Sequence, residues 1–327
     1  MSAPRLDACY VQLTRRFPEG ASRARAEARL RTHPHFTVLR DILAQGDTIP
    51  VPASALAVLL ETPDGPLLLP SNDAVQLPII ARYGGFQRAE MARVLAYLEA
   101  RGEGGGDVFV DVGANVGAHT LQAMRHGRFR RAIAVEPEPL NAQLLSLNMR
   151  LNGLSSAVDV QVCALGAADG MATLAVNRLN CGDARLAPTV VPGSSLDGPA
   201  PPCDVDDGDF ALVDVAVRTL DGLLTGTGVR PEELGLIWMD TQGSEGLIVA
   251  ASRTLRACRV PLFVEFWPHG MKALDSYGAL KRFVEAECTS VVVLSSSTPQ
   301  VHSPTELDGL FRQYEADEQF TDLLLLR

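Results

Sequence analysis

The sequence has no C-x-x-C pair among its six cysteines, at positions 9, 163, 181, 203, 258 and 288. That spacing argues against a short-spaced zinc site or a thioredoxin-like redox motif. Cys163 and Cys258 sit in apolar runs and read as small core residues, a usage that suits a reducing cytoplasm. Met1 to Arg16 holds no apolar stretch of the kind that marks a secretory leader. The longest apolar runs, Ala55 to Leu60 and Leu323 to Leu326, fall far short of the roughly 20 residues a membrane helix needs. A basic surplus is also missing: the net charge is -10 and the pI about 5.1, a balance that argues against a nucleic-acid partner. The two arginine-rich stretches, Arg15 to Arg31 and Arg125 to Arg131, carry interspersed apolar or acidic residues and read as solvated helix faces. The expectation is a soluble, cytoplasmic protein without membrane or nucleic-acid partners.

What is present is an ordinary globular composition: 327 residues, 46% apolar and 21% charged. A chain of this length buries a full core without disulfides or metals. Residues 1 to about 50 read as polar helix, with Ala21 to Leu30 rich in good helix formers. Leu56 to Leu60, Pro63-Asp64-Gly65 and Pro66 to Leu69 read as strand, turn, strand. Met91, Val94, Leu95 and Leu98 have the spacing of one helix face, and Gly102 to Gly106 then breaks the chain. From residue 107, strands predicted at 108–112, 132–135, 158–164, 171–176, 211–217, 236–239, 260–266, 290–294 and 320–326 are interspersed with helices at 118–125, 139–151, 244–255 and 274–286. Such alternation predicts an α/β fold: a Rossmann-like, mostly parallel seven-stranded sheet with helices on both faces. The expected organisation is an N-terminal helical/β extension over 1–80, serving as a substrate cap or dimer contact, and a main domain over 81–327. The sequence does not set the oligomeric state, although a homodimer is compatible with it. Residues 177–210, rich in Pro, Gly and Asp, interrupt the rhythm as a long loop. The run Asp204 to Asp209 superficially resembles a calcium loop. Its glycine falls at position five rather than six, and Val215 replaces the required Glu at position twelve, so that reading fails.

Three motifs carry chemistry. In Val108-Phe-Val-Asp-Val-Gly-Ala-Asn-Val-Gly-Ala-His-Thr120 an apolar strand runs into a glycine turn that opens a helix. Gly113 and Gly117 permit a tight turn and close backbone approach to a ligand, and the helix N-terminus offers free N–H groups. The dinucleotide fingerprint needs a third glycine, but positions 118 and 120 hold Ala and Thr. Asp111, two residues before the first glycine, would repel a pyrophosphate and accept from an amino group, such as that of S-adenosylmethionine. Glu136, in Ala132-Ile-Ala-Val-Glu-Pro137, ends the next strand, where an acid can accept both ribose hydroxyls of an adenosine. Leu236 to Met239 delivers Asp240 to its C-terminal end, where open α/β sheets bind ligands. Gly243 follows in a second tight turn, and Glu245 reads equally well as a helix cap.

These features together resemble the FkbM family of methyltransferases. The resemblance rests on Asp111 to Gly117, Glu136-Pro137, Leu144 to Asn148, Ala164-Leu-Gly166, Asn180-Cys-Gly182, Thr219-Leu-Asp221, Asp240-Thr-Gln-Gly-Ser-Glu245 and Leu262-Phe-Val-Glu265. It spans about 80 to 270 and leaves residues 1–50 uncovered. The family carries an acid shortly after a glycine just upstream of the glycine turn, whereas Tyr83-Gly-Gly-Phe-Gln-Arg88 offers Gln87 and Arg88. The resemblance implies a class I methyltransferase fold, S-adenosylmethionine as cofactor, and transfer of a methyl group to a hydroxyl of a small natural product or glycan. It implies that Asp111, Gly113 and Gly117, with Asn115 and Thr120 in the same motif, hold the methionine part. Glu136 and Pro137 would then meet the ribose, and Cys163, Ala164 and Leu165 would flank the adenine.

Methyl transfer from a sulfonium is an in-line displacement with an activated leaving group, so alignment supplies much of the rate. A hydroxyl nucleophile also needs a base or a metal. Asp240 is the first candidate for the base or a metal ligand, and for cofactor contact, followed by Glu265 and His269. His119, one turn into its helix, reads as positional, and no dedicated metal cluster is visible. Three rivals remain. A nicotinamide-dependent oxidoreductase lacks its third glycine. A non-catalytic binding protein leaves Asp111, Glu136 and Asp240 without a task. An amino-methylating nucleic-acid enzyme would place Asn/Asp-Pro-Pro-aromatic where this chain has Asp240-Thr-Gln-Gly.

Overall fold

The computed structural model describes residues 57–73, 75–177, 180, 182–187, 210–294, 298–316 and 319–327. The expected N-terminal helix, the Arg15 to Arg31 stretch, Cys9, Cys181, Cys203 and the Asp204 to Asp209 run lie outside the described residues.

Strands β1 (Ala57–Thr62) and β2 (Gly65–Pro70) form an antiparallel hairpin around Pro63-Asp64. Helices α1 (Gln76–Tyr83) and α2 (Arg88–Arg101) lead into β3 (Val108–Val112), whose five residues are all buried. Then follow α3 (Ala118–His126), β4 (Arg131–Val135), α4 (Pro139–Leu151) and β5 (Val158–Gln161). A second, smaller sheet comes next, from β6 (Ala164–Leu165), β7 (Gly170–Asn177), β8 (Ala184–Leu186) and β9 (Phe210–Arg218). Helix α5 (Leu220–Thr227) returns the chain to β10 (Leu234–Met239). The remaining elements are α6 (Glu245–Ala251), α7 (Arg253–Ala257), β11 (Leu262–Phe266), α8 (Pro268–Ala273), α9 (Tyr277–Glu287), β12 (Ser290–Val293), β13 (Gln300–His302), α10 (Leu307–Ala316) and β14 (Thr321–Leu326).

The large sheet has the order β13-β12-β14-β11-β10-β3-β4-β5. The pairs from β11 through β10, β3 and β4 to β5 are parallel, while β14 runs antiparallel to both its neighbours. The expected seven strands are present, and the three-residue β13 adds an eighth at one edge.

Period-two alternation divides the core between the two faces of the sheet. Phe109, Trp238, Phe263 and Leu324 point to one face, where they meet Leu95 and Leu98 of α2, Leu121 of α3, Leu145 of α4 and the hairpin's Leu60, Leu67 and Leu69. Val108, Val110, Ile237, Met239 and Val264 point to the other and meet Leu223, Ile248, Leu280 and Phe311. Strands buried on both faces read as near-continuous apolar runs rather than alternating ones; β10 shows that pattern, and β3 departs from it only at Asp111.

Four local expectations change. The strand expected at 158–164 stops at Gln161, and Ala164–Leu165 belongs to the small sheet. The strands near 171–176 and 211–217 also pair in the small sheet, antiparallel to each other. The helix expected over 244–255 is broken at Ser252, whose hydroxyl caps the following turn by accepting from the Leu255 N–H. The helix expected over 274–286 begins at Tyr277 and is preceded by the short α8. Among the described residues, no helix is long and apolar enough to cross a membrane.

Candidate active site

The turn after β3 is held through its backbone groups, by both backbone and side-chain partners. Gly113 and Asn115 have φ of 84° and 51°, and Gly117 has 88°. The N–H groups of Gly113 and Ala114 both donate to the Val135 carbonyl, at 3.0 and 2.9 Å. The Asn115 N–H donates to Glu136 Oε2 at 2.8 Å. A Cβ on Gly113 would collide with the Asp240 carbonyl, and one on Gly117 with Leu145 and Met149 of α4. The sequence reading assigned these glycines to close ligand approach, but the atoms they make room for belong to neighbouring elements.

Around this turn lies a cleft of about 740 Å³, its open mouth included, in the size range of small-molecule sites. Its floor is the C-terminal edge of β3, β4 and β10. Gly113, Asn115, Glu136, Pro137, Cys163, Ala164, Leu165 and Asp240 line it. Leu174, Ala184 and Leu186 of the small sheet roof it, and Gln76, Phe86 and His119 close one side. The structure does not bring every predicted residue to the wall. Asp111 and Thr120 are fully buried beside it, where the Thr120 hydroxyl donates to Asp111 Oδ2 at 2.5 Å and Asp111 Oδ1 has no hydrogen-bond partner. Gly117 stands at the start of α3, outside the wall. Glu265 sits behind Asp240. His269 is exposed on α8 with its ring against Trp267, because Pro268 starts that helix and carries the imidazole away from the strand end.

The electrostatics follow from burial. Glu136 accepts the N–H of Asn115 through Oε2 and of Glu138 through Oε1, yet desolvation still raises its pKa to about 8. Asp111 is raised to about 7 by burial. Burial raises Asp240 too, and raises Glu265 well above the ordinary range with help from the Asp240 charge. The Gln242 side-chain amide donates to Asp240 Oδ1 at 2.7 Å and to Glu265 Oε2 at 2.9 Å. Gln242 holds this bridge from a left-handed backbone, φ 54°. Asp322, opposite Glu265 in the β11–β14 ladder, is raised to about 8 by burial and accepts from Gln87 Nε2 at 3.0 Å. Glu245 accepts from the Thr241 N–H and hydroxyl, both at 2.8 Å, so it braces the turn before α6 rather than capping that helix, whose N-cap has no side-chain bond; burial raises it to about 7. His119 is driven the other way, to about 4, and stays neutral with its ring 4.8 Å from Trp238 and 5.9 Å from Phe86. Among the described residues, no group of three or more His, Cys, Asp or Glu is arranged to hold a metal ion.

Gln242, Phe86, Gln76 and the roof residues were not singled out from the sequence. A positive φ on a non-glycine residue is a structural signal of a constrained site, but Gln242 carries no sequence mark of it. The DTQG turn itself was the one available pointer.

The family model for the methyltransferase FkbM domain matches residues 111–288, a span that takes in Asp111, Glu136, Asp240 and Glu265. The chain belongs to the FkbM methyltransferase family. No curated protein matches it by sequence. Among solved structures it is similar to an FkbM methyltransferase from Methylobacillus flagellatus KT, at 17% identity and TM-score 0.40 over 67% of this chain and 43% of that one. It is also similar to geranyl diphosphate C-methyltransferase from Streptomyces coelicolor A3(2), at 15% identity and TM-score 0.36 over 76% and 77% of the two chains.

Proposed function

We propose that this FkbM methyltransferase takes S-adenosylmethionine as cofactor and methylates a hydroxyl oxygen on a small natural product or glycan. The observation that carries the cofactor reading is the use of the turn's own amides. The N–H groups of residues 113, 114 and 115 are all spent on Val135 and Glu136, so they cannot cradle a pyrophosphate as a dinucleotide turn does. The charged side chains at the cleft, Glu136 and Asp240, are acids, which suit hydroxyl donors and cationic centres instead.

The residues present fit such a ligand. Each Glu136 oxygen has one amide bond and retains a lone pair for a ribose hydroxyl. Cys163, Ala164 and Leu165 offer an apolar slot for a flat base. Asp240 marks the opposite end of the cleft. S-adenosylmethionine supplies a sulfonium-borne methyl whose departure leaves an uncharged thioether. Asp240 stands where the acceptor's proton must go, and Glu265 behind Gln242 supports its charge state. The roof excludes water over the reacting end. His269 has no place in this scheme.

Calorimetric titration with S-adenosylmethionine, S-adenosylhomocysteine, NAD and NADP tests the reading. Saturable binding of the first two is expected, weakened about tenfold by Glu136→Ala through loss of the ribose hydrogen bonds. Tight binding of NAD or NADP with no binding of the first two would overturn it.

A further inference from the structure

The C-terminal edge of the parallel strands gathers more buried and half-buried carboxylates than methyl transfer needs. Asp240 borders the cleft, and Glu265 lies close enough to it that one side-chain nitrogen reaches both carboxyls. Gln242 donates to one oxygen of each. An amide has two N–H donors and so links two acceptors at once. The surrounding elements bring further acids: Asp111 from β3, Asp183 from the segment before β8, Glu245 from α6 and Asp322 from β14. Asp322 in turn faces Gln87, Glu90 and Arg93 of α2. Arg185 pairs with Asp183, Nε to Oδ1 at 3.6 Å, and Arg93 acts on Asp322. The Arg93 guanidinium is already engaged by the Leu294 carbonyl and Glu90. Two carboxylates this close cannot both stay ionised at low cost, so the pair retains a proton until a positive charge arrives.

We propose that the Asp240–Gln242–Glu265 unit makes the cleft select a cationic cofactor over its uncharged product, by releasing a proton to solvent when the cation enters. The inference rests on the cofactor reading above and deepens it. S-adenosylmethionine and S-adenosylhomocysteine differ by one methyl group and one positive charge on sulfur. Entry of the first favours the doubly ionised pair. Entry of the second adds no charge and leaves the shared proton in place. Loss of the methyl group therefore draws a proton back onto the pair and weakens the grip on the product. Ligand affinity linked to one proton changes up to about tenfold per pH unit.

Isothermal titration of the full chain with each of the two ligands, between pH 6.5 and 8.5 in buffers of different ionisation enthalpy, counts the protons released. S-adenosylmethionine is expected to release about one proton more than S-adenosylhomocysteine, and the ratio of their Kd values to widen with pH toward about tenfold per unit. Glu265→Gln is expected to abolish this difference. The ligand's own α-amino group titrates near pH 8, so a difference that survives in Glu265→Gln belongs to the ligand and overturns the proposal. If that variant does not fold, Asp240→Asn, which likewise leaves a single carboxylate, is read in the same way. Equal proton release by both ligands in the wild-type protein overturns this inference alone. Failure of both ligands to bind overturns the cofactor reading and the inference with it.

Discussion

At the scale of single residues, the site is held by contacts that tolerate little change. Gly117 has φ of 88°, and a methyl there would strike Leu145 and Met149. Gly117→Ala is expected to cost roughly 1–3 kcal/mol from backbone strain and overpacking, seen as a lower midpoint in urea unfolding without change of slope. Thr120 gives Asp111 its hydroxyl bond in a fully buried setting. Thr120→Val leaves that carboxyl without this donor and is expected to destabilise by about 1–3 kcal/mol; an unchanged midpoint would refute the assignment. Asp111, Glu136 and Asp240 were legible because each sits at a strand end read directly from an apolar run. The Gln242 bridge was not, because it joins Asp240 to a strand 25 residues later. His119 was read as positional, and its neighbours Phe86 and Trp238 come from segments that meet it only after folding.

Among elements, one side chain ties three together. Asn148 of α4 accepts the Leu68 N–H of the hairpin at 2.7 Å and donates to the Leu68 and Val116 carbonyls at 2.9 and 2.8 Å. Asn148→Ala strands buried backbone groups in both the hairpin and the glycine turn. It is expected to cost about 2–3 kcal/mol and to raise hydrogen exchange at Leu68; unchanged exchange there would count against this role. Alternation of strand and helix was readable because β3, β4, β10 and β11 are apolar and bounded by turns. Membership of the small sheet was not, since Met171 to Val176 has the same two-residue period whichever sheet it joins. The break at Ser252 was hidden for a similar reason. It is set by Asp221 of α5, which accepts from the Ser252 hydroxyl and the N–H groups of Arg253 and Thr254.

For the whole molecule, burial of acids sets the response to pH. Asp111 and Glu245 are raised to about 7, and Glu136 and Asp322 to about 8, all above their unfolded values near 4. Between those limits the folded chain holds protons that the unfolded chain has lost, so stability falls as pH rises. His119, lowered to about 4, acts in the opposite direction below pH 6.5 but is one group against four. The ligand-free protein is expected to melt at a lower temperature at pH 8 than at pH 5.5, by differential scanning fluorimetry in matched salt. A melting point that climbs over that interval would mean the carboxylates are solvated rather than buried.

The small sheet is spliced between the third and fourth parallel strands, β5 and β10, and meets the cleft twice, with Ala164–Leu165 in its wall and Leu174, Ala184 and Leu186 above. The glycine turn and the Asp240 turn, by contrast, are wedged backbone to backbone. The two parts therefore differ in tolerance: a side chain added in the wedge strikes backbone, which cannot repack, whereas one changed at Leu174, Ala184 or Leu186 meets other side chains, which can.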